Sequence, residues 1–349
     1  MKVVEVRGLV KVYEGPGKKH VRALDGVDLA TARSECLVLL GPPGSGKTTL
    51  LRTIAGLESP THGEVHLGGH LVNGLPPRIR RVGLVVPSYA LYPHKTVRGN
   101  IEFPLKAEHT PRAMRERKAR WAADLLGIPH LLGRRPGRLS VDERRRVALA
   151  RALAREPAVL LLDEPLSGVD ARLRAAARDE LRSLQRRLGT AMICVTDDQA
   201  EAMGLGDRVA VLDAGRLRQV GTPQDLYDEP VDTFVATLIG TPPMNLVPRG
   251  DRLIGFRPEH LLPAEEIPPE GRVTMPLRID RIEYLSGDRH VYGSVARIGQ
   301  ETRVIARLPA TMTTPLAGGQ TREFAVPGDR LRFFDAEYGN RTAPVRIGG

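Results

Sequence analysis

The sequence predicts an α/β fold with a parallel sheet, followed by a smaller all-β domain. Three observations carry this. First, "CLVLL" (36–40), "AVLLLD" (158–163) and "AMICVT" (191–196) are short, almost wholly apolar runs. Such runs suit parallel strands covered on both faces. Second, charged helical stretches separate them, and strands alternating with helices build a parallel sheet. Third, composition changes near residue 240. "IGTPPMNLVPRGDRL" (239–253) is rich in Pro and Gly, and alternating segments follow it, among them "PLRIDRIEY" (276–284) and "RHVYGSVARI" (289–298). Short alternating strands split by turn residues predict a sandwich or barrel.

In chain order, residues 1–40 read as strands and turns, with "MKVVEVRGLVKVY" alternating from the start. "GPPGSGKTTLLRTIAG" (41–56) is a loop opening a helix, and residues 61–86 alternate again ("GEVHLGG", "RVGLVV"). From about Pro87 to Arg155 the reading is helical, "PRAMRERKARWAADLLGI" (111–128) being the clearest amphipathic piece. "RVAVLDAGRL" (208–217) is a strand entering a hairpin, and "LLPAEEIPPEGR" (261–272) reads as a loop. The expected division is a first domain over 1–235 with a helical part at about 88–157, a linker at 236–250 and a β domain at 251–349.

The 349 residues are 41% apolar and 27% charged, ordinary for a globular protein large enough for two domains. Two cysteines, Cys36 and Cys194, exclude a disulfide framework. Both lie in apolar runs, where cysteine packs as a small hydrophobe, which fits a reducing cytosol. There is no CxxC or Cys/His cluster of the kind that holds zinc. No apolar run approaches the roughly 18 residues of a membrane span, and the N-terminus lacks a signal peptide's apolar core, so any membrane role is expected to be peripheral. The net charge of +11 admits nucleic acid or an acidic membrane surface as partner. The arginines are scattered through helices, which favours a solvated basic surface.

The sharpest motif is Gly41-Pro42-Pro43-Gly44-Ser45-Gly46-Lys47-Thr48, continued by Thr49. It fits G-x-x-x-x-G-K-[ST] between a predicted strand and a predicted helix, the context that motif requires. Its glycines let backbone N–H groups curl around phosphates, and the helix N-terminus adds positive potential. Lys47 is expected to reach the β- and γ-phosphates of ATP, and the Thr48 hydroxyl to hold Mg²⁺. Asp163 ends a buried strand, as a Mg²⁺-coordinating carboxylate does, and Glu164 follows as a general base for an attacking water.

Wider phrases resemble the nucleotide-binding subunits of ABC transporters, most of all the carbohydrate importers of the maltose-importer ATPase type. They are "SYALYPHKTVRGNI" (88–101), "RRRVALARALAREPAVLLLDEPLSGVDARLR" (144–174), "DDQAEAM" (197–203), "GTPQDLYDEP" (221–230), "GFRPEHL" (255–261) and "FFDAEYGNRT" (333–342). The resemblance covers almost the whole chain. It implies a RecA-like P-loop core with antiparallel β and helical subdomains, and a regulatory C-terminal domain of OB-like halves. It implies a dimer of nucleotide-binding subunits, identical or not, on the cytoplasmic face of the membrane. In that dimer ATP lies between one phosphate loop and the other subunit's signature loop. Two permease subunits and a solute-binding protein would complete the assembly. By position, Tyr13 matches the aromatic residue that stacks on adenine, and Asp170 matches the D-loop aspartate.

Three matched positions depart from the family pattern. Pro87 stands where a glutamine is expected; it has no side-chain amide and stiffens its loop. Asp197 stands at the switch histidine. An ionised aspartate cannot donate to a γ-phosphate and repels it, by about 4 kcal/mol for unit charges ~4 Å apart at an effective dielectric constant near 20. Leu139-Ser140-Val141-Asp142-Glu143 replaces Leu-Ser-Gly-Gly-Gln, losing the glycines that allow close approach to a phosphate. Ser140-x-x-Glu143 also reads as a helix capping box. Pro43 removes one N–H donor from the phosphate loop. The expectation is therefore an ATP-binding importer subunit whose hydrolysis is impaired, with a regulatory subunit that no longer hydrolyses productively as the alternative. A nucleic-acid-acting ABC protein is disfavoured: those typically carry two cassettes in tandem, and no nucleic-acid partner is expected.

Overall fold

The computed structural model describes residues 2–14, 20–285, 287–297 and 300–344. Met1 of the first expected strand and Ile298 of "RHVYGSVARI" lie outside the described residues. The chain divides into two compact units, Met1–Pro223 and Gln224–Gly349.

The first unit runs β1 (Lys2–Glu14), β2 (His20–Ala32), β3 (Cys36–Leu40), α1 (Lys47–Ala55), β4 (His62–Leu67), β5 (His70–Leu71), β6 (Val82–Val85), α2 (Val97–Ala107), α3 (Arg112–Leu125), α4 (Val141–Leu153), β7 (Val159–Asp163), α5 (Ala171–Leu188), β8 (Ala191–Thr196), α6 (Gln199–Leu205), β9 (Arg208–Asp213) and β10 (Arg216–Gly221). The central sheet has the order β10-β9-β3-β8-β7-β6. It is parallel from β9 to β6, with β10 antiparallel at the edge. Every residue of β3, β7 and β8 is buried, as their unbroken apolar runs predicted. Burying a Leu, Ile or Val side chain contributes roughly 1.5–3 kcal/mol, and these three strands share the unit's core with β1, β2 and α1. A second, antiparallel sheet has the order β2-β1-β4-β5.

Helix α3 forms where the amphipathic stretch predicted it, and its buried face is made of small side chains. Its buried residues are alanines, Ala119, Ala122 and Ala123, while Met114 and Trp121 stand exposed. The inward face of α3 lies close to its neighbours, so small side chains fill it.

In the second unit α7 (Pro223–Asp228) and α8 (Thr233–Leu238) precede, among the described residues, the strands β11 (Asn245–Arg249), β12 (Arg252–Phe256), β13 (Leu262–Pro263), β14 (Arg272–Leu285), β15 (Asp288–Arg297), β16 (Gln300–Pro309), β17 (Thr321–Pro327), β18 (Arg332–Asp335) and β19 (Arg341–Thr342). They form two antiparallel sheets, β11-β12-β18-β19 and β13-β17-β14-β15-β16, over a core that includes Phe256, Phe324 and Phe333. Two stretches hold more structure than their proline content implied. Residues 236–250 include the end of α8 and strand β11, with Pro248 opposite Leu253. The stretch 261–272 includes β13, where Pro263 pairs with Phe324. Both are edge strands, where proline's missing N–H costs no ladder bond.

One buried cation closes the first unit behind α1. Arg80 is 5% exposed. It donates from Nη1 to the carbonyls of Thr53 and Ile54, from Nε to Leu75 and from Nη2 to Asn73. It thus satisfies carbonyls at the C-terminus of α1 that the helix cannot. Gly56 makes room for it: a Cβ there would lie 2.4 Å from Arg80 Nε. Replacing Arg80 with Leu removes the Arg80 donors from all four carbonyls, of which Thr53 keeps the Gly56 N–H, and the expected loss is about 2–4 kcal/mol. Calorimetry of the first unit's thermal transition checks this; an unchanged midpoint would contradict it.

Candidate functional site

Four adjacent strands end in one row. Parallel pairing sets Leu40 opposite Thr196, Asp163 opposite Val195 and Val85 opposite Leu162. The residues just past the strand ends therefore line up: Gly41 after β3, Asp197 after β8, Glu164 after β7, and Val86-Pro87 after β6. Ligands of open parallel sheets bind outside these carboxyl ends. The register brings together the phosphate loop, both strand-end acids of β7, Asp197 and the Pro87 loop. Tyr13 on β1 and Leu139–Glu143 at the start of α4 stand outside this row.

The phosphate loop is built by its prolines and glycines. Ser45 N–H donates to the Pro42 carbonyl at 3.2 Å, with Pro43 and Gly44 (φ 80°) between them. Pro then Gly at positive φ is the type II turn pattern, so Pro43 forfeits a donor and stiffens the turn. Gly46, at φ 102°, precedes α1, and a Cβ there would sit 2.4 Å from the Ala23 carbonyl. Lys47 is 7% exposed. Its Nζ donates to the carbonyls of Gly41 (2.8 Å) and Pro42 (2.9 Å). Burial pushes its pKa down, and the charges of Asp197, Glu164 and Asp163, in that order, pull it back up. An ammonium is thus held at the loop mouth facing three carboxylates.

Thr48 Oγ1 donates to Asp163 Oδ1 at 3.1 Å. Burial raises the Asp163 pKa, opposed by the Thr48 hydrogen bond and by Arg52 and Lys47. A hydroxyl beside a desolvated carboxylate fits a hard divalent cation such as Mg²⁺, which takes one or two protein oxygens and completes its shell with water and phosphate. Among the described residues no group of three or more His, Cys, Asp or Glu side chains is arranged to hold a metal. Glu164 has a φ of 47°, left-handed for a non-glycine residue. Its N–H donates to the Val195 carbonyl and its own carbonyl accepts from Ser167 Oγ, which fixes the turn. Asp197 is exposed, between Thr196, whose Oγ1 is 2.8 Å from Glu201 Oε2, and Asp198, which caps α6.

Pro87 is exposed in a tight loop, where Tyr89 N–H donates to the Val86 carbonyl and Tyr89 and Ala90 take φ of 58° and 44°. Arg151 clamps the loop by donating to the carbonyls of both residues. At the signature position Ser140 caps α4: its Oγ accepts from Glu143 N–H at 3.1 Å, while Glu143 Oε2 accepts from Ser140 N–H at 2.7 Å. The capping box is formed. Leu139 is buried, and Val141 is 46% exposed. Asp142 is not a bare charge. It accepts from Arg145 Nη2 at 2.6 Å and Arg146 Nε at 2.8 Å, and both arginines also reach Glu180 on α5. Sequence reading missed this network; its trace was the i, i+3 and i, i+4 spacing of Arg145 and Arg146 from Asp142. Asp170 caps α5 by accepting from Arg172 N–H. The Tyr13 ring has the Lys11 ammonium 4.7 Å from its centroid.

The fold and the loop define a P-loop nucleotide-binding protein. The ABC transporter family profile matches residues 24–167. The sn-glycerol-3-phosphate import ATP-binding protein of Rhizobium etli is 46% identical over 301 residues, covering 82% of this chain and 86% of that protein. Its counterpart in Rhizobium meliloti is 44% identical over 313 residues, covering 85% and 88%. The dimeric structure of a bacterial ABC transporter cassette superposes with a TM-score of 0.57 at 29% identity, covering 63% of this chain and 98% of that one. A dimeric ATP-binding cassette in a post-hydrolysis state with ADP and Pi gives 0.56, also at 29% identity and the same coverage. The chain belongs to the ABC transporter family.

The Asp142 network predicts a matched pair. Asp142→Gly leaves the buried Arg145 with Glu180 at 3.3 Å, and the expected cost is about 1–2 kcal/mol, discounted because Asp142 is half exposed. Adding Arg145→Gln recovers most of it. A double-mutant cycle by thermal unfolding measures the coupling; strictly additive losses would refute the pairing.

Proposed function

We propose that this chain is the ATP-binding subunit of an ABC importer, carrying sugars or related solutes such as the sn-glycerol 3-phosphate named for its relatives. The observation that carries the reading is Lys47, Thr48 and Asp163 gathered at the ends of β3 and β7. Lys47 would exchange its loop carbonyls for the β- and γ-phosphates of ATP. Gly41, Pro42, Pro43, Gly44, Ser45, Gly46 and Thr49 would shape the cradle, Thr48 and Asp163 would hold Mg²⁺, and Tyr13 would stack on adenine. Bound Mg²⁺ neutralises phosphate charge. Glu164 would orient and deprotonate the attacking water. The dimeric cassettes support function as a dimer, in which Asp170 and Leu139–Glu143 would face the partner's nucleotide. Among the described residues no helix is long and apolar enough to cross a membrane, so transport requires permease subunits and the chain would sit peripherally on their cytoplasmic side. A solute-binding protein would deliver the cargo.

Within this reading we infer weak hydrolysis. Pro87 offers no amide to the water, Asp197 adds a negative charge facing the phosphate lysine, and Val141 stands where close backbone approach is needed. A regulatory subunit without productive turnover is the second reading, favoured by the same three positions. Nucleotide titration and steady-state turnover separate them. The wild type is expected to bind ATP–Mg²⁺, and Lys47→Ala to lose that binding at least tenfold. Restoring Gln at 87, Gly-Gly-Gln at 141–143 and His at 197 together is expected to raise turnover by a factor of 100 or more, since removing one transition-state donor typically costs about 10²–10³. No rise on restoration would reject the impairment, and undetectable ATP binding would reject the nucleotide reading itself.

A further inference from the structure

The nucleotide chemistry leaves the outer face of α3 unused. Met114 and Trp121 are 41% and 42% exposed, and Trp121 is the only tryptophan in the sequence. Met114, Arg117 and Trp121 follow i, i+3, i+7 spacing and share one face. Alongside lies a groove of about 240 Å³ walled by Arg98 of α2 and by Glu116, Arg117 and Arg120, and floored by Ala119 and Leu132. Its one acid is engaged: Glu116 accepts from Arg112 Nε at 3.0 Å. The other cations of α3 turn elsewhere, Arg115 to the Thr110 carbonyl and Lys118 to Glu156. Asp124 is the helix's remaining acid, exposed near its C-terminal end. Arg98, Arg117 and Arg120 are left crowding one small concavity, and like charges so placed attract an anion.

We propose that this face docks on an anionic phospholipid surface, the arginine groove taking a phosphate headgroup while Trp121 and Met114 enter the headgroup–acyl boundary. Size and chemistry single out this occupant. The groove has room for one headgroup and not for a folded protein element or a nucleic-acid duplex. A nucleic-acid duplex offers nothing apolar to Met114 and Trp121, and a single strand would engage only the Trp121 ring by stacking, whereas a bilayer interface accepts both side chains, tryptophan being enriched there. The surface would orient the chain on the membrane and add to whatever hold permeases provide. It draws on the proposed function only for the nearness of a membrane.

Trp121 is its own reporter. Full-length protein is mixed with vesicles of phosphatidylcholine alone or with 30 mol% phosphatidylglycerol, and read by flotation and tryptophan emission. The expected result is binding to the anionic vesicles only, with a blue shift, suppressed by raising NaCl from 0.05 to 0.5 M. The triple change Arg98→Gln, Arg117→Gln, Arg120→Gln is expected to weaken binding about 100-fold, from the usual contribution per basic residue at an anionic surface. Trp121→Phe is expected to weaken it several-fold. Both variants should keep the wild-type circular dichroism, melting temperature and ATP–Mg²⁺ affinity. The proposal is overturned by absence of vesicle binding, by binding without a change in Trp121 emission, or by undiminished binding of the triple variant. Single-stranded DNA that binds more tightly than anionic vesicles, lost in the same triple variant, would reassign the groove to nucleic acid. Failure of ATP binding in the wild type would strike the nucleotide reading and leave the vesicle result standing.

Discussion

The structure of the first unit turns on keeping the Lys47 ammonium in a largely buried place. A lysine head there is tolerable only if its donors are met and anions face it. The fold arranges both. Buried β3 delivers the Gly41 and Pro42 carbonyls as a fixed collar, and the adjacent parallel strands deliver Asp163, Glu164 and Asp197 around it. Because β3, β8 and β7 are side by side, one register decides three charges at once. A single-residue slip of β7 against β8 would displace Asp163 from Thr48 and turn its side chain to the other face of the sheet.

Part of the backbone strain lies along the row of strand ends. Glu164, Tyr89 and Ala90 all take positive φ. Each lies just beyond a strand carboxyl end, where the chain must reverse at once without leaving the sheet's edge. Left-handed residues other than glycine cost of order 1–3 kcal/mol each, and persist when neighbours over-determine them. Here the neighbours are visible. The Val195 carbonyl and Ser167 hydroxyl pin Glu164, and Arg151 clamps the Tyr89 and Ala90 carbonyls. In that light Pro87 is a change of backbone stiffness as much as of side-chain chemistry, in a loop already held on its far side.

What the sequence disclosed, and what it hid, follows from how local each signal is. The buried strands, the phosphate loop and the Ser140–Glu143 box were legible because each is written within eight residues. The C-terminal sheets were legible as a class. Pro248 and Pro263 still masked two edge strands, since proline marks an edge strand and a loop alike. The amphipathic period of α3 was legible, but period alone cannot tell how closely the buried side of a helix is approached; its alanines, small enough for close approach, carry that information. Glu180 as a partner of Arg145 and Arg146 was out of reach, being more than thirty residues away on another helix.

The two acidic departures are therefore physically unlike, although they read alike in sequence. Asp142 sits between two arginines that are themselves balanced by Glu180, so the group of Asp142, Arg145, Arg146 and Glu180 carries no net charge. Its effect at the start of α4 is one of shape and rigidity: the added side chain is tied back along the helix, and Val141 beside it stays exposed. The charge of Asp197 acts instead on Lys47, the same cation that the proposed nucleotide would need. A phosphate arriving at the loop meets an ammonium held by the Gly41 and Pro42 carbonyls and already in the field of three carboxylates, and must displace those carbonyls and work against that field or bring a cation with it. Mg²⁺ between Thr48 and Asp163 would answer Asp163 and the phosphate together, but it leaves Asp197 facing the added negative charge. Within the proposed function the electrostatic burden thus falls on the strand end after β8, and the burden at α4 is steric.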